Sequence, residues 1–285
     1  MVGTAANGPG VVDALAPIYA MDEGDLRDAV RSALAEDRAM LAYQPVVLVS
    51  GGRPAFHEGM IRLRDAAGVL LPAGRFVPAV EATPLGRVLD ATSLGLGLAQ
   101  LARSPGLRLS INMSARSIGS RRWRDALEAG LARDETVAER LIIEVTESST
   151  MRADAGAQDF MAEMQCRGIS VALDDFGAGE TCFRYLHEFA FDILKVDGAF
   201  VQGCDRDADR QRVLEAIVAV GRQFDMLTVA ERVETPGEAA FLARAGFDCL
   251  QGFLYGPPST RAAFDAVPSP ADWIATRDRR VGGFG

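Results

Sequence analysis

Oxygen-bearing side chains recur at the ends of short apolar runs in this 285-residue chain, and that recurrence is the first clue to its chemistry. The run Ser170–Leu173 ends in two adjacent acids, Asp174 and Asp175, followed by Phe176 and Gly177. A buried strand accounts for Val171, Ala172 and Leu173. It does not account for the paired acids, because carboxylates are rarely buried without a partner. Other runs carry or end in similar groups: Glu58, Asn112, Glu144 with Glu147 just beyond, Lys195 and Asp197, Glu231 and Glu234, and Gln251. One such residue is usually an ordinary turn or capping group. Repetition from strand to strand points instead to a cation site.

Oxygen ligands without thiol or imidazole select hard divalent cations such as Mg²⁺ or Mn²⁺. Two such ions, about 3.5–4 Å apart, suit phosphoryl chemistry. Asp174 is the natural bridging ligand. Alternation along a strand would point Asp175 away, so the strand is expected to end there and let the second carboxylate swing in. Lys195 on a neighbouring strand could orient a water or a phosphate oxygen. A Schiff-base role for Lys195 competes with this, but the surrounding acids favour a charged ammonium. Asp197 and Glu234 read as structural. His57 precedes Glu58, should face the other side of its strand, and is also read as structural.

These side chains need elements that bring them to one place. Asp25 can start a helix with Leu26, Val30, Ala33 and Leu34 on one face. Leu41–Val49 and Pro54–Leu63 read as strands joined by the Ser50–Arg53 turn, a link short enough to demand antiparallel neighbours. Later strands are expected at Leu107–Asn112, Leu141–Val145, Ser170–Asp174, Phe191–Val196, Leu227–Glu231 and Cys249–Phe253. Helical patterns at Trp123–Ala132, Ala155–Cys166, Ala208–Phe224 and Gly237–Ala245 separate them, the last capped by Thr235 and Pro236. Gly168 and Gly246 sit where helices should stop. The alternation predicts an α/β fold, a closed (β/α)₈ TIM-type barrel with one antiparallel strand in an N-terminal hairpin. Polar groups at the C-terminal strand ends would then converge on one mouth. A doubly wound open sheet is the competing architecture, but no GxGxxG follows the first strand.

Residues 1–22 read as a linker or frayed segment, 23–267 as the barrel domain, and 268–285 as a C-terminal tail. The net charge of -9 argues against a nucleic-acid polymer as partner, which would want a basic stripe. The cysteines Cys166, Cys182, Cys204 and Cys249 lack CxxC spacing and read as free thiols. With only His57 and His187, a histidine-rich metal centre is poorly supplied. No apolar run is long enough to span a bilayer and no signal-peptide pattern opens the chain, so a cytoplasmic location is expected.

In this order of segments the chain resembles the EAL domain family of cyclic di-GMP phosphodiesterases. The matching stretches are YQPVV at Tyr43–Val47, EGMIR at Glu58–Arg62, PAGRFVP at Pro72–Pro78 and NMS at Asn112–Ser114. EVTES at Glu144–Ser148, DDFGAG at Asp174–Gly179, KVD at Lys195–Asp197, AERVET at Ala230–Thr235 and QGFLYGPP at Gln251–Pro258 follow. The resemblance implies hydrolysis of cyclic di-GMP to linear pGpG with two Mg²⁺ or Mn²⁺ ions. It implies that Glu58, Asn112, Glu144 and Asp174 hold one ion, and Asp174, Asp175 and Glu231 the other. Lys195, Glu231, Asp175 and Glu147 would form the catalytic set, Lys195 touching the water and Glu147 propping the loop after DDFG. Arg62 would pair with a substrate phosphate, while Gln44, Met60 and Gln251 would lie against or support the substrate. A homodimer is also a family expectation.

Departures from the family pattern are specific. Glu-Ala-Leu is here Glu58-Gly59-Met60, where Gly59 is expected to loosen the strand. The loop after DDFGAG is Glu180-Thr181-Cys182 where the family usually has Tyr-Ser-Ser. The glycine of AEGVE is Arg232, and the usual Arg after the KID stretch is Gly198. These changes motivate an alternative reading, a weakly active or inactive cyclic di-GMP receptor or protein-interaction module.

Overall fold

The first helix of this computed structural model, which describes residues 21–146, 156–177, 186, 189–261 and 264, is α1 (Glu23–Ala35). It starts before the expected Asp25 because Asp22 is the cap, its carboxylate accepting from Asp25 N. Leu26, Val30 and Ala33 are buried as their spacing requires. Strands β1 (Ala39–Leu48) and β2 (Pro54–Arg64) form the antiparallel hairpin, joined through Gly51 and Gly52 at φ 108° and 66°. A two-residue strand, β3 (Leu70–Leu71), pairs with the end of β2.

Helices α2 (Ala73–Glu81) and α3 (Pro84–Arg103) precede β4 (Leu109–Asn112). Then α4 (Arg121–Leu131) leads to β5 (Leu141–Thr146), and α5 (Gly156–Cys166) to β6 (Ser170–Phe176). Strand β7 (Ile193–Val196) is followed by the single turn α6 (Gly198–Val201) and by α7 (Ala208–Gln223). Strand β8 (Leu227–Ala230), α8 (Pro236–Ala245) and β9 (Cys249–Gln251) complete the order. Thr235 and Glu238 form a reciprocal capping box on α8, and Gly246 ends it at φ 92°.

The strands lie in one sheet, ordered β1-β9-β8-β7-β6-β5-β4-β2-β3, and the β1–β2 pairing closes it. With β3 appended to the edge of β2, the closed ring is the eight-stranded α/β barrel that the sequence implied. Strand β1 runs antiparallel to both neighbours, β2 and β9, and the remaining ring pairings are parallel. Among the described residues no helix is long and apolar enough to cross a membrane.

The barrel interior explains how the mouth is populated. Val46, Phe56, Ile142, Ala172, Ile193, Val229 and Cys249 pack together as a buried apolar cluster. Side chains on a strand share a face at every second position. Two residues beyond Phe56, Ile142, Ala172, Ile193, Val229 and Cys249 come Glu58, Glu144, Asp174, Lys195, Glu231 and Gln251. On the reversed strand β1 the relation inverts, and Gln44 lies two before Val46. The lumen floor is therefore oily and its rim is charged.

His57 takes the opposite face, as expected. It is buried against the ring of Phe264, 5.4 Å away edge-on, and its Nδ1 has no hydrogen-bond partner. Burial lowers its pKa from 6.5 to about 4. Between those values the unfolded chain binds the proton and the folded chain does not, so stability is lost as pH falls from 6.5 towards 4. Thermal unfolding of wild type and His57→Phe should therefore diverge over that interval, by about 2–3 kcal/mol, while turnover at pH 8 stays level. Parallel pH profiles would remove this assignment.

Gly59 does not loosen its strand: β2 pairs continuously through it, with Tyr43 on one side and Ile111 on the other. A Cβ there would lie 2.8 Å from Ile111 Cδ1, and a Cβ on Gly97 of α3 would meet the same methyl at 2.8 Å. Ile111 thus fills room left by two glycines. Gly59→Ala should cost about 1–2 kcal/mol in urea denaturation through overpacking. Ile111→Val in the same chain should recover most of it, and failure to do so would contradict this packing account.

Candidate active site at the mouth of the barrel

Lys195 is the centre of the mouth. Its side chain is fully buried, and Nζ lies 2.7 Å from Glu144 Oε2, 2.8 Å from Asp174 Oδ1, 2.8 Å from Glu231 Oε1 and 3.3 Å from Glu58 Oε2. Burial opposes a charge there, but Asp174, Glu144, Glu231 and Glu58 outweigh it and hold the ammonium well above its ordinary pKa. A lysine so stabilised is a poor Schiff-base nucleophile.

The amides brace this cluster. Asn112 Nδ2 donates to Glu58 Oε1 at 2.7 Å, and Gln251 Nε2 donates to Glu58 Oε2 at 2.7 Å and to Gln44 Oε1 at 3.2 Å. Gln44 in turn donates to Gly256 O. Glu58, Asn112, Glu144, Asp174, Glu231, Lys195, Gln251 and Gln44 thus meet as the sequence suggested. Glu147 lies outside the described residues, as does the Glu180–Cys182 loop.

Asp175 reaches the mouth by a route that the sequence reading did not foresee. Strand β6 does not end at Asp174; its pairing with β7 is irregular between Leu173 and Phe176 and then resumes. Asp175 sits in that bulge at φ 56°, a left-handed conformation that turns its side chain to the acidic side. Ligand oxygens of Asp174, Asp175 and Glu231 consequently lie within 4.8 Å of one another. Burial and the neighbouring Asp174 push Asp175 up to about 6. Burial likewise raises Glu144, with Glu58 adding to it, and raises Glu231.

One ammonium cannot satisfy this many acids, since it has three N–H bonds. Glu144 Oε1, Asp174 Oδ1 and Gln251 Oε1 are buried without a hydrogen bond; the Asp174 atom is close to Nζ but outside hydrogen-bond geometry. Buried carboxylates in excess of cations, all with oxygen donors, fit hard divalent ions.

Two cavities flank the cluster and share Met60 and Asp175. One, of about 430 Å³, reaches Arg62, Val77, Asp90 and Asn112. The other, of about 310 Å³, reaches Glu231, Arg232, Glu234 and Phe253. Arg62 forms no ion pair among the described residues; it donates to Ile61 O and points towards Met60 Sδ, 3.6 Å away. Its fork is open to an incoming anion.

Asp197 does what was expected of it, capping α6 by accepting from Ala199 N at 2.7 Å. Two residues were missed. Asp90 accepts from Ser117 Oγ at 2.6 Å and Ser114 N at 3.1 Å, which fixes the turn after Asn112, and burial pushes it up to about 6. A lone acid in the otherwise apolar Leu89–Leu98 helix was the available signal. Phe253 is two-thirds exposed beside the acids, a large aromatic with no packing reason to be there.

Fold and site together define a (β/α)₈ barrel with carboxylates gathered at the C-terminal rim. Residues 27–258 match the EAL domain family, and the chain belongs to it. It is 32% identical over 244 residues to the bifunctional diguanylate cyclase/cyclic di-GMP phosphodiesterase MucR of Pseudomonas aeruginosa, covering 84% of this chain and 36% of that protein. It superposes on the solved PaMucR phosphodiesterase c-di-GMP complex with a TM-score of 0.74 and 31% identity, over 82% of this chain and 97% of the other. The c-di-GMP-bound FimX EAL domain of the same species shares the fold with a TM-score of 0.78 at 23% identity, over 85% and 99% of the two chains. The chain spans about a third of the length of the curated relatives it matches.

Proposed function

We propose that this chain hydrolyses one phosphodiester of cyclic di-GMP to linear pGpG. The observation that carries the reading is the excess of carboxylates, Glu58, Glu144, Asp174, Asp175 and Glu231, around the single ammonium of Lys195. Glu58, Asn112, Glu144 and Asp174 would hold one divalent ion, and Asp174, Asp175 and Glu231 a second. Such ions, when bound, lower the pKa of water and offset charge on the pentacovalent transition state.

The chain's own groups supply position and selectivity. Lys195 stays protonated, so its part is to donate a hydrogen bond to the attacking water or a phosphate oxygen, not to remove a proton. Asn112 and Gln251 hold both oxygens of Glu58 and so fix its orientation. Arg62 pairs with a phosphate from the larger cavity, with Met60 between the two cavities. Water adds to phosphorus as the P–O3′ bond breaks, and the proton the water gives up ends on the departing 3′ oxygen. By its family resemblance, Glu147 is assigned to prop the loop after the Asp174–Gly177 stretch.

The test is incubation of the purified chain with cyclic di-GMP and Mg²⁺ or Mn²⁺, following pGpG by chromatography, with a chelator as control. Metal-dependent pGpG formation is expected. Tight binding without product, unchanged in Asp174→Asn, would replace the enzyme by a receptor.

A further inference from the structure

Arg232 holds a conformation that its residue type disfavours. Its φ is 53°, left-handed backbone in which non-glycine residues are uncommon and strained. The surroundings enforce it: Glu231 N donates to Val196 O at 3.1 Å and Val233 N to Gln251 O at 2.9 Å, so the turn is pinned to β7 and β9 on either side. Strain of this kind, directly after a candidate metal ligand, is a reason to look for function.

The side chain has a place made for it. A Cβ on Gly198 would lie 2.4 Å from Arg232 Cδ, 2.6 Å from its Cβ and 2.7 Å from its Cγ. The Arg232 stem therefore runs through the volume that any side chain at position 198 would fill. Its guanidinium ends 3.6 Å from Asp197 Oδ2, and the side chain is 60% exposed. Asp197 is already engaged at Ala199 N through its other oxygen. The fork is held at one edge by Asp197, and Arg232 lines the smaller cavity.

Charge makes the position informative. The smaller cavity is lined by Glu58, Asp174, Asp175, Glu231 and Glu234, and Arg232 is the one basic residue on its wall among the described residues. The larger cavity has Arg62 as its one basic residue among those described. Two adjoining cavities, each with a single arginine, face a reaction whose substrate is a ring with two phosphates. We infer that Arg232 binds a phosphate of the ring from the side opposite Arg62, and that glycine at 198 is required to seat it. This rests on the cyclic di-GMP reading of the site and adds to it a second anchoring point on the substrate.

Arg232→Gly is the direct variant, and it should fold at least as well as wild type because glycine tolerates φ 53°. Its KM for cyclic di-GMP should rise about tenfold with kcat changed by less than about threefold, the mark of lost uniform binding. Arg232→Lys should fall between wild type and Arg232→Gly, keeping the charge and losing the fork. Gly198→Arg alone should be destabilised by collision with Arg232. In Gly198→Arg/Arg232→Gly the new side chain enters the same channel, and much of the KM should return. An unchanged KM in Arg232→Gly would overturn the inference. Should the wild-type chain bind cyclic di-GMP without hydrolysing it, the hydrolase reading fails, and calorimetry decides on Arg232. An approximately tenfold weaker Kd in Arg232→Gly supports it and an equal Kd overturns it. No binding at all would end both.

Discussion

Asp174→Asn is expected to lower cyclic di-GMP turnover by about 10³-fold or more while leaving the fold intact, since metal-type charge stabilisation is worth several kcal/mol. Asp174 is the carboxylate common to both proposed ion sites. It lies 2.8 Å from Lys195 Nζ and within 4.8 Å of ligand oxygens on Asp175 and Glu231. Asparagine keeps shape and volume, so any loss reports charge and donor strength, not packing. The variant should also bind Mn²⁺ more weakly by calorimetry. With a chelator present, its thermal unfolding should occur at or above the wild-type temperature, because the remaining acids around Lys195 repel one another less. Glu234→Gln, at the exposed end of the same cavity, is the control and should retain most of the rate. A fall of less than about tenfold in Asp174→Asn would mean that the acidic rim is not the reaction centre.

The rim was legible in the sequence because its logic is local: a strand of alternating parity, apolar at the floor, with one polar side chain two positions on. Glu58, Glu144, Asp174, Lys195, Glu231 and Gln251 all obey that rule, so their convergence follows once the ring closes. Asp175 breaks it. Reaching the mouth from the next position requires a bulge, and a bulge is a property of the β6–β7 pairing that no run of residues announces. Helices α2 and α3 lacked a legible signal for other reasons. Pro78 lies inside α2, and α3 buries glycine, alanine and serine on several sides, at Gly86, Ala91, Ser93 and Gly97, which blurs its amphipathic period. Gly59 was misjudged because the residue that compensates it, Ile111, is on another strand. The same holds for Arg232 and Gly198: each looks like an isolated departure along the chain, and only the fold shows that one occupies the space of the other.

Lys195→Met should have the largest effect on stability, and that effect should depend on metal. Without added ions, the ammonium is the cation that lies among Glu58, Glu144, Asp174 and Glu231, and its side chain is 1% exposed. Methionine fills the volume and leaves the acids facing one another. Removing one partner of a buried charge cluster costs about 3–5 kcal/mol, or roughly 10 °C in Tm for a domain of this size. Glu144 and Glu231 are already pushed up by burial, and the lost ammonium pushes them further. Groups that hold protons more tightly when folded make stability fall as pH rises, so the variant's deficit should grow from pH 6 to pH 8. Divalent ions that bind only the folded state should recover more of Tm in the variant than in wild type. Turnover should remain depressed by about 10²–10³-fold even when the ions are supplied, because the lost hydrogen-bond donor acts on the water or the phosphate. A variant as stable as wild type in chelator would show that the acids are not charged in the resting protein. A variant that turns over normally with Mn²⁺ would reduce Lys195 to a counter-ion.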